Sequence, residues 1–239
     1  MRNKITDKTV GILVINPNNP TGSVYNEKTL REIVDIAGEH GLPLISDEIY
    51  DQLTYDEPQT PMAHISRDVP VIGFNGVSKV YLAPGWRVGY AYFCDNDGEL
   101  DPLYDAMIRQ ARIRICLNAT AQIASVAALR SDGSHLKDTM SKMRVRRDLI
   151  HKRLNEIDSI STRLPEAAFY IMPKIELRGR WKDDAEYVKD VLAETGVVFV
   201  PGRGFGEEYG AGHFRSVFLP PPGMIEEAMN RLEDFMAKR

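Results

Sequence analysis

The stretch Asn75 to Gly89, NGVSKVYLAPGWRVG, constrains this chain more than any other. One apolar run, Val71-Ile72-Gly73-Phe74, leads into it and a second, Val88 to Phe93, leads out; both read as strands. Gly76, Pro84, Gly85 and Gly89 exclude a long helix between them. Lys79 is therefore expected at a strand end, where open α/β sheets build their sites. A desolvated lysine there releases its proton and becomes a nucleophile toward an aldehyde. The planar fork of Arg87, eight positions on, suits an anionic group on the same ligand. Taken alone, a lysine after a strand is most often a solvated surface charge, so the weight falls on its company.

That company begins upstream. Val10 to Ile15 reads as a buried strand that stops at Asn16-Pro17-Asn18-Asn19-Pro20-Thr21-Gly22, a run of turn formers. A helix follows, with Asn26 as its cap, Leu30, Ile33, Val34 and Ala37 on one face, and Gly41 after its end. Pro43 to Ser46 then reads as a second strand running into Asp47-Glu48-Ile49-Tyr50. A strand-helix-strand unit of this kind places both strand ends on one edge of a parallel sheet, and the strand before Lys79 is expected to join it.

From Leu100 the pattern turns helical: Leu100 to Arg114, Thr120 to Arg130 and a long connector, His135 to Ile157. Beyond it come strands at Ala168 to Ile175, Val197 to Pro201 and Phe214 to Leu219, and helices at Asp183 to Glu194 and Met224 to Lys238. The expected division is residues 1–145 and 146–239.

Thirty basic against thirty-four acidic residues give a net charge of -4, with no footprint for nucleic acid. The basic stretch Lys142 to Arg153 carries Met143, Val145, Leu149 and Ile150 at helical spacing and reads as a solvated helix face. Cys94 and Cys116 suggest neither a disulfide framework nor a metal knuckle, and the five histidines lack ligand spacing, so no metal is expected. Gly202-Arg203-Gly204-Phe205-Gly206 follows a strand but opens no long helix, a weak dinucleotide fingerprint. No early apolar run is long enough for a signal peptide or a membrane span, so the cytoplasm is the default compartment.

Together, NPNNPTG at 16–22, SDEIY at 46–50, SKVYLAPGWRVG at 78–89 and HFRSVFLPP at 213–221 resemble, in order and spacing, the fold-type I aminotransferases that use pyridoxal 5′-phosphate, within the alanine and aspartate aminotransferase group. The resemblance runs from about Val10 to the end of the chain. It implies an α/β/α large domain with a mostly parallel sheet, here lacking its N-terminal part, and a smaller α+β domain. It implies a homodimer and transfer of an amino group from an amino acid to a 2-oxo acid such as 2-oxoglutarate. A carbon-sulfur lyase of the same fold type stays open, as does a truncated, non-catalytic fragment that needs its N-terminal half.

Residue by residue, the resemblance implies that Lys79 forms the Schiff base and shuttles the proton between the substrate α-carbon and the cofactor. Asp47 pairs with the pyridine nitrogen, Asn19 and Tyr50 bind the phenolate oxygen, and Arg87 clamps the phosphate. Arg215 grips the substrate carboxylate beside Asn19, and its place in the second domain implies closure on substrate. Each also has a plain structural reading: Asp47 and Asn19 as turn formers, Tyr50 as a core aromatic, Arg215 as a surface pair. Glu48 reads as a structural neighbour, because alternation turns it away from the side of Asp47. Arg112 and Arg114 are candidates for a distal carboxylate only by approximate position, and serve equally as helix surface charges.

The chain departs from the family pattern in two places. Relatives often carry a phosphate-binding serine three residues before the lysine, where this chain has Gly76, leaving Ser78 and the loop backbone as substitutes. The family's phosphate-cradling helix N-terminus and the aromatic that stacks on the ring belong to its N-terminal half. This chain is thus expected to hold the covalent anchor and most ring contacts but about half of the phosphate site.

Overall fold

The computed structural model describes residues 1–238 and divides into two compact units, Met1–Pro17 with Val24–Ser134, and Asn18–Ser23 with His135–Arg239. The division expected at residues 145 and 146 falls inside the helix Ser134–Glu156, which belongs almost wholly to the second unit.

The first unit opens with β1 (Ile12–Ile15), α1 (Glu27–Glu39) and β2 (Leu44–Asp47). The side chain of Asn26 accepts from Thr29 N at 2.9 Å, a cap that contributes about 1 kcal/mol to such a helix. Leu30, Ile33 and Ala37 on its inner face are buried with Ile12, Val14 and Leu44 in one core. A short helix α2 (Met62–Ile65) precedes β3 (Val71–Gly76), and after the glycine-proline loop comes β4 (Gly89–Cys94). The sheet order is β1-β2-β3-β4, with the first three parallel and β4 antiparallel at the edge. The unit closes with α3 (Asp101–Ile113) and α4 (Ala119–Leu129). No residue of α3 is fully buried.

At the carboxyl end of β2 a charge is buried. Glu48 is 4% exposed, and its carboxylate accepts from Ser46 Oγ at 2.9 Å, Met62 N at 2.9 Å and Tyr92 Oη at 2.8 Å. Tyr92 reaches it by lying across Gly73, its partner in the β3-β4 register; a Cβ on Gly73 would stand 1.9 Å from the tyrosine ring. Burial, then the charge of Glu48, holds the Tyr92 phenol protonated well above its usual range.

Besides the turn Asn18–Ser23, the second unit takes in α5 (Ser134–Glu156) from His135 onward. It continues through β5 (Ile160–Ser161), β6 (Tyr170–Ile171), β7 (Lys174–Ile175), α6 (Asp184–Thr195), β8 (Val200–Pro201), α7 (Glu207–Gly210), β9 (Phe214–Val217) and α8 (Pro222–Ala237). Two antiparallel sheets form, β5-β7 and β6-β9-β8. The single strand expected from Ala168 to Ile175 is therefore two, in different sheets. Pro173 offers no N–H to a ladder and Ala168 sits at φ 58, so the run bends at both points. The basic face of α5 is also not wholly solvated. Arg147 is buried and donates to Pro165 O at 3.2 Å, while Arg153, largely shielded, joins Glu226, Asn230 and Glu233 of α8.

Gly73→Ala is expected to drive Tyr92 off Glu48 and cost about 2–4 kcal/mol in denaturant unfolding. Adding Tyr92→Ala should cost less than the sum of the two single changes. Because the folded state raises the phenol pKa, stability falls as pH rises past about 10, where the unfolded tyrosine ionises. Tyr92→Phe should flatten that alkaline slope.

Candidate active site

In the first unit, the turn after β2 and the loop after β3 meet. Lys79 is half-buried, and its Nζ lies 5.9 Å from the ring centroid of Tyr50, itself buried. Asp47 ends β2; its Oδ1 accepts from Ile49 N at 3.2 Å, which fixes the carboxylate at the strand end. Ser78 is half-buried beside Lys79 in sequence. Arg87 is exposed at the close of a short 3₁₀ turn, Pro84–Trp86, and its Nη1 donates to Pro84 O at 2.8 Å. Leu82 at φ 52 and Arg87 at φ 56 hold left-handed backbone, which costs a non-glycine residue about 1–2 kcal/mol. Strain of this kind gathers where a loop is held for a purpose.

Two residues that sequence reasoning gave no role fasten this loop. Asn75 Nδ2 donates to Asp51 Oδ2 at 2.9 Å, and Asn75 Oδ1 accepts from Gly76 N at 2.7 Å. The pair ties the start of the lysine loop to the turn that carries Tyr50. Burial pushes the Asp51 carboxyl up, against hydrogen bonds from Gln52 N and Asn75. Gly76 stands opposite Gly89, and a Cβ there would lie 2.8 Å from Val88 O, so a serine at this position would force the two strands apart.

In the second unit, Arg215 on β9 is gripped on three sides. Its guanidinium lies between the rings of Tyr170 and Phe205, 4.7 Å from each centroid, and Nη1 donates to Asn19 Oδ1 at 2.9 Å. Its Nε is buried and has no partner. An unmet buried donor costs about 1–3 kcal/mol, and Nε with Nη2 forms the edge that a carboxylate takes in a bidentate pair. Asn19 is held there by the turn around Gly22, whose oxygen accepts from Glu166 N at 2.9 Å and Ala167 N at 2.8 Å. Gly22 sits at φ 70, and a Cβ on it would come within 2.7 Å of Pro165 Cβ, so the last glycine of NPNNPTG is required by contact.

Residues 1–232 match the family described as aminotransferase class I and II. The chain belongs to this family. Its sequence is 34% identical to a glutamate-pyruvate aminotransferase of Escherichia coli over 99% of the chain, and 35% identical to a probable aspartate aminotransferase of Methanocaldococcus jannaschii over 98%. Among solved structures, the alanine aminotransferase of Pyrococcus furiosus superposes with a TM-score of 0.96 at 56% identity over the whole chain. The chain spans about 60% of the length of these relatives. The fold is thus the fold-type I architecture implied by the motifs, and members of the family use pyridoxal 5′-phosphate.

Lys79, Tyr50 and Asp47 share one sheet edge of the first unit, and Asn19 and Arg215 form a bonded pair in the second. Arg112 and Arg114 are exposed at the end of α3. No group of three or more histidine, cysteine, aspartate or glutamate side chains fit for a metal occurs among the described residues, and no described helix is long and apolar enough to cross a membrane. Tyr170, Phe205, Asp51 and Asn75 escaped the sequence reading, because stacking on a distant arginine and a bond across 24 positions leave no local pattern.

With its pKa raised in the fold, Asp51 contributes most when protonated, and that contribution fades as pH climbs above its unfolded value near 3.9. Asp51→Asn keeps an acceptor for Asn75 without the charge. The melting temperature of the variant relative to wild type should rise as pH climbs above about 4 and level off once Asp51 is ionised in the fold; a difference constant with pH would overturn the raised pKa.

Proposed function

We propose that this chain carries the lysine and the carboxylate grip of an aminotransferase that moves an amino group from an amino acid of the alanine or aspartate type to a 2-oxo acid such as 2-oxoglutarate. The observation that carries this reading is Arg215, fixed on three sides with its Nε buried and unmet. Every substrate of such a reaction bears an α-carboxylate, and two parallel N–H bonds would position its Cα-H.

The side chains fit pyridoxal phosphate: an amine for its aldehyde, a carboxylate for its pyridine nitrogen, a phenol and an amide for its phenolic oxygen, a guanidinium for its phosphate. When bound, that group condenses with amines through its aldehyde and draws the electron pair left on Cα into its ring. Lys79 would hold it covalently and, once displaced, take the proton from the substrate Cα and deliver it to the cofactor's former aldehyde carbon, across the amino nitrogen. Asp47 would keep the pyridine nitrogen protonated through a charge-assisted hydrogen bond. Tyr50 would donate to the phenolic oxygen. So would Asn19 through Nδ2, since its Oδ1 is already committed to Arg215. Arg87, with Ser78, would meet the phosphate; Nη1 of Arg87 is engaged by Pro84 O, which sets the plane of its fork. The homodimer is proposed to form through the helices between Leu100 and Arg130, where Leu103, Ile113, Ile123 and Val126 are exposed.

Incubation with pyridoxal phosphate followed by borohydride should add the cofactor's mass to the peptide containing Lys79, and Lys79→Ala should abolish the addition. Arg215→Lys keeps the charge without the fork and should raise KM for the amino-acid substrate roughly a hundredfold, about 2–3 kcal/mol. An unchanged KM would remove Arg215 from substrate binding. Sedimentation as a monomer at high concentration would remove the dimer.

A further inference from the structure

The Gly202–Phe205 turn, a weak fingerprint in the sequence, is fastened by a buried acid that the reaction does not use. Asp184 is fully buried in the first turn of α6, where the helix N-terminus favours a negative charge. Its Oδ2 accepts from Arg203 N at 3.0 Å, and its Oδ1 from Arg203 Nε at 3.0 Å and from Gly212 N at 3.4 Å. One carboxylate thus ties both ends of the segment from Arg203 to Gly212. The base of the segment is closed by contact: a Cβ on Gly202 would stand 2.3 Å from Gly210 O, and one on Gly210 would stand 2.0 Å from Gly202 O.

What this segment presents is Phe205, whose ring covers the guanidinium of Arg215 at 4.7 Å. Phe205 is 38% exposed, so the loop backbone, rather than an enclosing core, sets its place. We propose that Asp184 and Arg203 are positioning residues for carboxylate binding: they hold the loop so that Phe205 stacks on Arg215 and shields the ion pair formed at its Nε edge from water. The inference rests on Arg215 as the carboxylate grip. Shielding matters because the same ion pair is several times stronger in a partly desolvated site than in bulk water. The ring also removes guanidinium orientations that would otherwise have to be frozen when a ligand binds.

The test follows the Arg215 Nε–Hε resonance in the intact ¹⁵N-labelled protein while propionate, a carboxylate with no amine to react, is titrated in. The signal is assigned by its loss in Arg215→Lys, and the readout needs neither turnover nor cofactor. Wild type should show a saturable shift, and Arg203→Ala and Phe205→Leu should each weaken binding roughly tenfold at an unchanged melting cooperativity. Because Arg203 acts through Phe205, the double variant should bind no more weakly than the worse single one. Arg203→Lys, which keeps a cation opposite Asp184 without the fork, should fall between wild type and Arg203→Ala. Wild-type affinity in Arg203→Ala, or losses that multiply in the double variant, would overturn the positioning role while leaving Arg215 as the grip. No shift in wild type would overturn the grip and the proposal with it. Should Arg203→Ala fail to fold, the same cycle is run with Arg203→Lys.

Discussion

The buried carboxylate of Glu48 is the constraint on which the first unit depends. A charge at 4% exposure is tolerable only when its oxygens are met, and here a hydroxyl, a backbone N–H and a phenol meet them. Those three donors come from β2, from the start of α2 and from β4. The acid therefore fixes the end of β2 against two other elements. Asp47, one residue earlier, inherits that fixed direction, and so does the turn that carries Tyr50. Gly73 follows from the same requirement, because only a residue without a side chain lets Tyr92 pass over β3 to its acceptor.

The second unit repeats the logic with different parts. Asp184 is buried behind a loop just as Glu48 is buried behind a turn. In each unit the candidate basic side chain has backbone nearby that is costly to hold: left-handed Leu82 and Arg87 in the loop of Lys79, and closely touching Gly202 and Gly210 at the base of the loop that carries Phe205. Packing and buried acids supply the rigidity that the loops lack. This arrangement leaves Lys79 and Arg215 partly accessible while Glu48 and Asp184 are buried.

Much of the fold was legible because it rests on local patterns. Asn26 announced α1, and the apolar runs Val10 to Ile15 and Pro43 to Ser46 announced two strands of the core. Glu48 was read as a structural neighbour from strand alternation alone, and its three hydrogen bonds agree. The run from Ala168 to Ile175 misled, because its apolar letters satisfy a strand pattern while Pro173 withholds the hydrogen bond that would continue it. The basic residues of α5 misled as well: Arg147 and Arg153 are on a helical face as expected, but acceptors brought by distant segments bury one and shield the other.

By itself, the sequence determined the family, the fold class and most of the order of strands and helices, and it singled out a lysine, a carboxylate, a phenol and a guanidinium as candidates for one cofactor. These follow from residue type and short-range spacing, which survive in a linear string. Only the tertiary structure decided that Arg215 lies between Tyr170 and Phe205 with its Nε unmet, that Asn75 is tied to Asp51, and that Gly73 yields its place to Tyr92. Those are contacts between residues far apart along the chain. They exist only because packing brings separate segments within a few ångströms, a fact no local pattern records.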